Sequence, residues 1–371
     1  MRLLYILSFG IHIFHLAGIP IYILHSLYYL KKIYKNIVVN EIIAVFLVIF
    51  FTIYPSVLFL SGYIEYSDVV LWVYFFISFY IISKVRLTRC EIKKIIMFLI
   101  VVNATFGVID ELLKIALSVK LIALFPQLSE IRLDQLHGIN FKNFTFYRAQ
   151  GVFSEPSFFA IQSVILGALG LQFLHRKFAI YVLTGIIIFF SYSVIGFFLF
   201  GLLSISYFFL TKGRERLYIM FLFTIAIAWI YFDGNILYQV NLKLSGEHFS
   251  GMARYEKLVL ALQNFSNSPF FGFQPGYFIS LNGTQPGNLF VLILLEFGII
   301  GLISILCYIY YTCHSIFKRK YFWILLIQIL SLFFHNQHYV VGFFIIFFML
   351  NAYENSEIRV NKSTHKKLRP V

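Results

Sequence analysis

The residues of this chain best suited to chemistry lie between positions 148 and 160, in the segment RAQGVFSEPSFFA. Arg148 and Glu155 stand at the mouth of an apolar run, where an unpaired charge is expensive. Ser154 is a suitable N-cap and Glu155 is favoured at a helix N-terminus. One interpretation is therefore a capped transmembrane helix, with Arg148 paired to Glu155 or to the lipid interface. The other is a charged pocket on the non-cytoplasmic side.

Further polar groups stand in or beside apolar runs. His335 and His338 belong to the polar turn HNQH between the last two predicted spans. Histidine serves as a general acid or base near neutral pH, although an ordinary polar turn is the alternative. Arg254 by itself is typical of a solvated loop. Glu296 lies inside an apolar run, where we expect it to be paired internally or packed beside the glycines that follow it.

No motif for a cofactor or a metal accompanies these residues. The sequence has no Walker A loop, no GxGxxG after a strand, and no paired His, Cys or Asp at metal-ligand spacing. The three cysteines form neither a metal pattern nor a disulfide framework. We therefore expect no cofactor and no metal, so the energy for any reaction would come from the substrate or from a gradient.

Transmembrane helices are the elements predicted to position these groups. Of the 371 residues, 60% are hydrophobic and 12% are charged, whereas about a quarter are charged in soluble proteins. The repeated long apolar runs predict an all-α polytopic membrane protein, a single integral-membrane domain over 1–371 with about 11–12 spans. The first run, 3–30, forms one long helix or two short ones divided at Pro20. The candidate spans fall at about 8–29, 40–60, 68–83, 95–116, 155–174, 178–190, 193–210, 217–232, 289–312, 321–334 and 339–353.

The basic residues predict the topology. The net charge is +14, but the lysines and arginines stand in short clusters between apolar runs. That is the positive-inside pattern of a membrane protein, and we expect no nucleic-acid partner. Threading the spans in order places a basic tail, 354–371, in the cytoplasm and two large loops, 118–154 and 233–288, on the other side. We expect short helices in these loops, one of them over about 252–265, capped by Ser250 and with Arg254 in its first turn.

An ordered series of segments, over roughly residues 140–305, resembles the Wzy-type O-antigen polymerases and the related O-antigen ligases. RAQGVFSEPSFFA resembles the segment after the first large periplasmic loop of that family, and FSYSVIG resembles its break between two helices. Ser250-Gly251 with Arg254, followed by SPFFGF, resembles its second large loop, and Asn288 with EFGIIG resembles the helix after it. Ligases commonly have a histidine before this asparagine, where this chain has Gly287, so the departure favours a polymerase.

The resemblance implies a reaction at the periplasmic face of the bacterial inner membrane. A hydroxyl of one lipid-linked repeat unit would attack sugar C1 of a chain carried on undecaprenyl diphosphate, and undecaprenyl diphosphate would leave. Since guanidinium groups bind phosphate bidentately, Arg148 and Arg254 would bind the diphosphate. Glu155 would orient Arg148 or take the acceptor proton, and His335 or His338 is the other candidate base.

The same resemblance implies further contacts and partners. Tyr255 and Tyr277 would stack on sugars, whereas Gln150, Lys257 and Asn288 would bind other parts of the substrate. The expected partners are undecaprenyl-diphosphate-linked oligosaccharides, the lipid bilayer and a chain-length regulator protein.

Other functions stay open at this point. An O-antigen ligase would use the same donor. A lipid-linked oligosaccharide flippase or another transporter would show inverted repeats, and we see none in the sequence. A membrane acyltransferase acting on the same polysaccharide would rely on histidines near a cytoplasmic or tunnel opening. A purely structural scaffold accounts least well for two large polar loops.

Overall fold

The structure, a computed structural model, describes residues 15–16, 19–20, 87–119, 138–141, 144–149, 156–211, 213, 215–221, 224, 249–273, 276–282, 288–318, 321–333, 347, 349–351 and 353–354. The chain divides into two compact units, and each is described by itself. The first unit comprises Met1–Tyr22, Leu87–Phe232 and Phe322–Gln328, and the second comprises Ile23–Arg86, Asp233–Tyr321 and Ile329–Val371.

The first unit begins with a short hairpin where the sequence predicts a helix. Strand β1 (His15–Leu16) pairs antiparallel with β2 (Ile19–Pro20). The prediction of one helical span over about 8–29 is therefore wrong at these residues. Proline has no N–H to donate within a helix, so Pro20 disfavours a continuous helix through this segment.

Helix α1 (Arg89–Leu117) is the longest helix of the first unit. Its start is set by a capping box, in which the backbone N–H of Glu91 donates to the Thr88 hydroxyl and the Thr88 N–H donates to the Glu91 carboxylate. At its other end, Ser118 takes a left-handed conformation and its N–H bonds the last carbonyls. The predicted span of about 95–116 starts later because that prediction followed hydropathy alone and left out the polar first turns.

A second hairpin precedes the next helices. Strands β3 (Gly138–Phe141) and β4 (Phe144–Tyr147) pair antiparallel in the first large loop. Strands therefore occupy Gly138–Phe141 and Phe144–Tyr147 of this loop. Residues 120–137 lie outside the described residues, so the short helices expected in the loop stay a prediction. Aromatic and β-branched residues favour the extended conformation, and all four residues of FTFY are of these types.

Three apolar helices follow in the first unit. They are α2 (Pro156–Phe173), α3 (Lys177–Ser191) and α4 (Val194–Leu210), and their bounds confirm the predicted spans to within two residues. Helix α2 packs against α1, α3 and α4. Small residues permit this, since a Cβ at Gly167 would lie 2.6 Å from the Thr184 hydroxyl and one at Gly196 would lie 2.6 Å from Ala160.

The second unit contains the helices of the second large loop and the span after it. They are α5 (Phe249–Phe265), α6 (Tyr277–Asn282) and α7 (Leu289–Cys313), which a short 3₁₀ turn follows at His314–Ile316. Helix α5 begins before the predicted residue 252, so Ser250 is not its N-cap and Arg254 lies in its second turn. Helix α8 (Phe322–Phe333) lies at the predicted position, and its residues Phe322–Gln328 belong to the first unit.

Three of the described helices are long and apolar enough to cross a membrane: Arg89–Leu117, Pro156–Phe173 and Leu289–Tyr311. Shorter apolar helices are Lys177–Ser191, Val194–Phe209 and Phe322–Leu332. A helical protein able to span a membrane is thus what the described residues form. The predicted spans at 40–60 and 68–83 lie outside the described residues, and those at 217–232 and 339–353 are described only in part.

Candidate functional site

Arg148 is joined to the carboxyl end of helix α3. Its Nε donates to the Ser191 carbonyl at 3.2 Å, and the N–H of the next residue, Ala149, donates to the Phe190 carbonyl at 2.9 Å. The last carbonyls of a helix have no partner within the helix, and they carry partial negative charge. Arg148 and Ala149 therefore each satisfy one terminal carbonyl of α3, and the Arg148 cation lies where the helix dipole favours it.

The break between α3 and α4 places these carbonyls beside Arg148. Tyr192 has a positive φ of 48° and its N–H bonds the Ile188 and Phe189 carbonyls, which ends α3. The Ser193 hydroxyl then accepts from the Gly196 N–H at 3.3 Å and caps α4. The break predicted at Ser191-Tyr192-Ser193 is thus confirmed, and it turns the end of α3 toward the segment that carries Arg148.

A buried ion pair holds Arg148 from the other side. Lys114 Nζ donates to the Asp110 carboxylate at 2.5 Å and to the Arg148 carbonyl at 2.7 Å. The side chains of Lys114 and Asp110 are 1% and 0% exposed. Two such charges are stable in an apolar interior only when paired with good geometry and further hydrogen bonds. The Arg148 carbonyl is one of those bonds, so the ion pair and the arginine segment depend on each other.

Sequence reasoning missed this ion pair. Asp110 and Lys114 are four residues apart and therefore lie on one face of helix α1. Opposite charges at that spacing inside an apolar run are the sequence signal that would have predicted this ion pair. Glu111 adds a third charge at the same turn, and its buried Oε2 has no hydrogen-bond partner among the described residues.

A discontinuous helix lies in the second unit. Gly298, with φ 68° and ψ −169°, breaks α7 in the middle of an apolar run. We call the segment Ser268–Phe273, SPFFGF, the 268–273 turn. It provides hydrogen-bond partners for backbone groups of α7 that the break leaves without helical partners. Ile299 and Ile300 donate their N–H groups to the Pro269 and Phe270 carbonyls at 2.9 and 3.2 Å, and the Phe273 N–H donates to the Leu295 carbonyl at 2.8 Å.

Two glycines allow the 268–273 turn to approach the broken helix. Gly272 has a positive φ of 70°, and a Cβ there would lie 2.5 Å from the backbone nitrogens of Phe297 and Gly298. A Cβ at Gly298 would collide with the Phe270 carbonyl. Both positions therefore require glycine for conformation and for space. The glycines of SPFFGF and EFGIIG, which carry part of the resemblance, meet at this contact.

Glu296 adjoins the break and is internally bonded. Its side chain is 3% exposed, and its Oε1 accepts from the Gly276 N–H at 2.9 Å. A carboxylate in an apolar helix is costly unless it has such partners. The expectation of an internally paired Glu296 is confirmed.

Several sequence-predicted site residues lie in the second unit. Asn288 is the N-cap of α7, and its Oδ1 accepts from the Phe290 and Val291 N–H groups at 2.9 and 3.3 Å. Tyr277 starts α6 and stacks on Phe273 with ring centroids 4.0 Å apart. Tyr255, 67% exposed, and the half-buried Lys257 lie on α5.

Other predicted site residues are not described. Gln150, Glu155, His335 and His338 lie outside the described residues, and so does the side chain of Arg254. The pairing of Arg148 with Glu155, the histidine base and a pocket shared by Arg148 and Arg254 stay predictions. Among the described residues, no group of three or more His, Cys, Asp or Glu could hold a metal ion.

Comparison of the chain with protein-family models, with curated proteins and with solved structures finds no match.

Proposed function

We propose that this protein is a membrane glycosyltransferase that polymerises oligosaccharide units carried on undecaprenyl diphosphate, at the periplasmic face of the bacterial inner membrane. A hydroxyl oxygen of the acceptor unit forms a bond to sugar C1 of the donor chain. The bond from C1 to the diphosphate oxygen breaks, a base takes the hydroxyl proton, and undecaprenyl diphosphate leaves. The donor supplies the energy, which matches the absence of a nucleotide-binding motif in the sequence.

The observation that carries this proposal is that hydrogen bonds fix both the side chain and the main chain of Arg148. A departing diphosphate gains negative charge, and a guanidinium group stays charged at every physiological pH. Preorganised cations stabilise such a transition state because they need not reorient during the reaction. The half-exposed Arg148 meets this requirement, since its Nε bonds the Ser191 carbonyl and its own carbonyl bonds Lys114.

The other roles follow from residue chemistry. Arg254 is the second diphosphate ligand, and Glu155, His335 or His338 takes the acceptor proton. Because Asn288 uses its Oδ1 to cap α7, its Nδ2 group is the part that would reach a substrate. The stacked rings of Tyr277 and Phe273 offer an apolar face to a sugar.

The test is the length distribution of the surface polysaccharide in a strain that lacks the wild-type gene. With Arg148→Ala we expect a loss of about 100-fold or more in long chains, because a main source of charge stabilisation is removed. Single repeat units should then appear on the lipid A core, with the protein inserted at its normal level. Arg176→Ala is the control, because Arg176 is exposed and caps no helix with its side chain.

The alternatives give other patterns. If Arg148→Ala and Arg254→Ala both still make long chains, the diphosphate role is wrong. Loss of a ligase would leave long chains on the lipid carrier and none on the core. Loss of a flippase would trap repeat units on the cytoplasmic side, with no single units on the core.

A further inference from the structure

The break in helix α7 lies near the middle of a candidate membrane span. The span Leu289–Tyr311 is 23 residues long. At 1.5 Å per residue it extends about 34 Å, enough for the roughly 30 Å hydrocarbon core of a bilayer. Gly298 is nine residues beyond Leu289 in the numbering, which is about 14 Å along the axis. The break is therefore roughly halfway through the core.

The 268–273 turn lies at the same depth. Its three backbone bonds go to Leu295, Ile299 and Ile300, all within three residues of Gly298. No water is present at such a depth to satisfy the backbone groups that a helix break leaves open. The turn also satisfies its own groups, since the Ser268 hydroxyl donates to the Gly272 carbonyl at 2.5 Å and the Gly272 N–H donates to the Ser268 carbonyl at 3.0 Å.

The chain enters and leaves this depth from the same end of α7. Ala261 and Phe265 of α5 and Phe278 of α6 pack in one cluster with Val291 and Leu295, in the first two turns of α7. Residues 261 and 265 thus contact the first two turns of α7, and residues 269 and 270 bond the backbone just beyond Gly298. Residue 278 contacts the first two turns again. A segment that comes back to its side of entry is re-entrant and does not cross.

We infer that residues 261–273 and 276–278 belong to a re-entrant hairpin whose tip lies at mid-depth of the bilayer, with Phe270 and Phe271 in contact with lipid acyl chains. These two side chains are 63% and 69% exposed, a large exposure for adjacent aromatic residues. At this depth a surface that protein does not cover meets hydrocarbon, and phenylalanine suits that solvent. The predicted extramembrane loop 233–288 then contains a membrane-embedded part. This inference does not depend on the proposed glycosyltransferase activity.

Spin labels report the depth of the tip directly. The full chain, with Cys90, Cys307 and Cys313 replaced by serine, carries Phe271→Cys with a nitroxide and is reconstituted in phosphatidylcholine–phosphatidylglycerol vesicles. We expect strong relaxation by dissolved oxygen and weak relaxation by a water-soluble nickel chelate, the pattern of the bilayer centre. Tyr255→Cys is the matched control, because Tyr255 is 67% exposed on helix α5 and precedes Ala261, the first residue of the hairpin. It should be relaxed by the nickel chelate.

Two results would overturn the inference. Equal relaxation of the two labels by the nickel chelate would place the turn in water. Protection of the Phe271→Cys label from both oxygen and nickel would mean that protein covers the tip. Phe270→Cys, at a side chain that is 63% exposed, repeats the measurement if Phe271→Cys does not insert.

Discussion

Arg148 is held by its neighbours through its main chain as much as through its side chain. The Lys114 ammonium donates to the Arg148 carbonyl. At the carboxyl end of α3, carbonyls accept from the Arg148 Nε and from the N–H of the following residue. The buried Asp110–Lys114 ion pair and the partly exposed Arg148 are thereby linked. A mutation at Lys114 should consequently affect both folding and the task of Arg148.

Lys114→Met is the residue-scale test of this link. It leaves the Asp110 carboxylate buried without its cation, and we expect a loss of about 3–5 kcal/mol of unfolding free energy. Thermal unfolding of the detergent-purified protein measures it. Lys94→Met, at an exposed position of the same helix, should leave the unfolding temperature unchanged.

The double variant Asp110→Leu/Lys114→Met separates the two effects. It removes both charges, so most of the stability should return. The bond to the Arg148 carbonyl stays absent, so polymer formation should remain impaired. Full recovery of long chains in the double variant would show that Lys114 has only a structural role.

At the scale of elements, the 268–273 turn and helix α7 form one hydrogen-bonded unit. The turn supplies two carbonyls and one N–H to the helix at the point where Gly298 interrupts it. A non-helical backbone can persist in a membrane only where protein satisfies it. The two halves of α7 and the turn should therefore fold together.

Gly298→Ala tests this coupling, with Gly213→Ala as its control. Both glycines have a φ of 68°, but nothing lies within 4 Å of a Cβ at Gly213, whereas one at Gly298 meets the Phe270 carbonyl. We expect Gly213→Ala to cost about 1–2 kcal/mol from backbone conformation alone. Gly298→Ala should cost clearly more and lower the yield of folded protein. Equal unfolding temperatures for the two variants would show that the 268–273 turn can move away from the new Cβ without loss of stability.

At the scale of the whole molecule, membrane topology is the property on which the proposed function depends. A periplasmic reaction requires that the two large loops share a side and that the basic clusters face the cytoplasm. The basic cluster around Arg89 contains a native probe, since Cys90 is exposed.

We expect a membrane-impermeant maleimide to label Cys90 only after spheroplasts are opened, in a chain with Cys307→Ser and Cys313→Ser. Tyr255→Cys in the second large loop should be labelled in intact spheroplasts as well. Labelling of Cys90 from outside would invert the topology and remove the basis of a periplasmic site.

The sequence by itself determined the positions of the described apolar helices and most of their ends. Apolar runs and caps are local signals, so the bounds of α2, α3, α4, α7 and α8 were predicted closely, as was the break at Ser191-Tyr192-Ser193. The resemblance and the residue types suggested the candidate arginines.

Only the tertiary structure decided what these residues contact. Lys114 meets Arg148 across 34 positions of sequence, and Glu296 meets Gly276 across 20. The break at Gly298 likewise depends on hydrogen bonds from a separate segment, the 268–273 turn. Hydropathy records the solvent that each residue prefers, but it carries no information on which distant segment supplies the missing hydrogen bond.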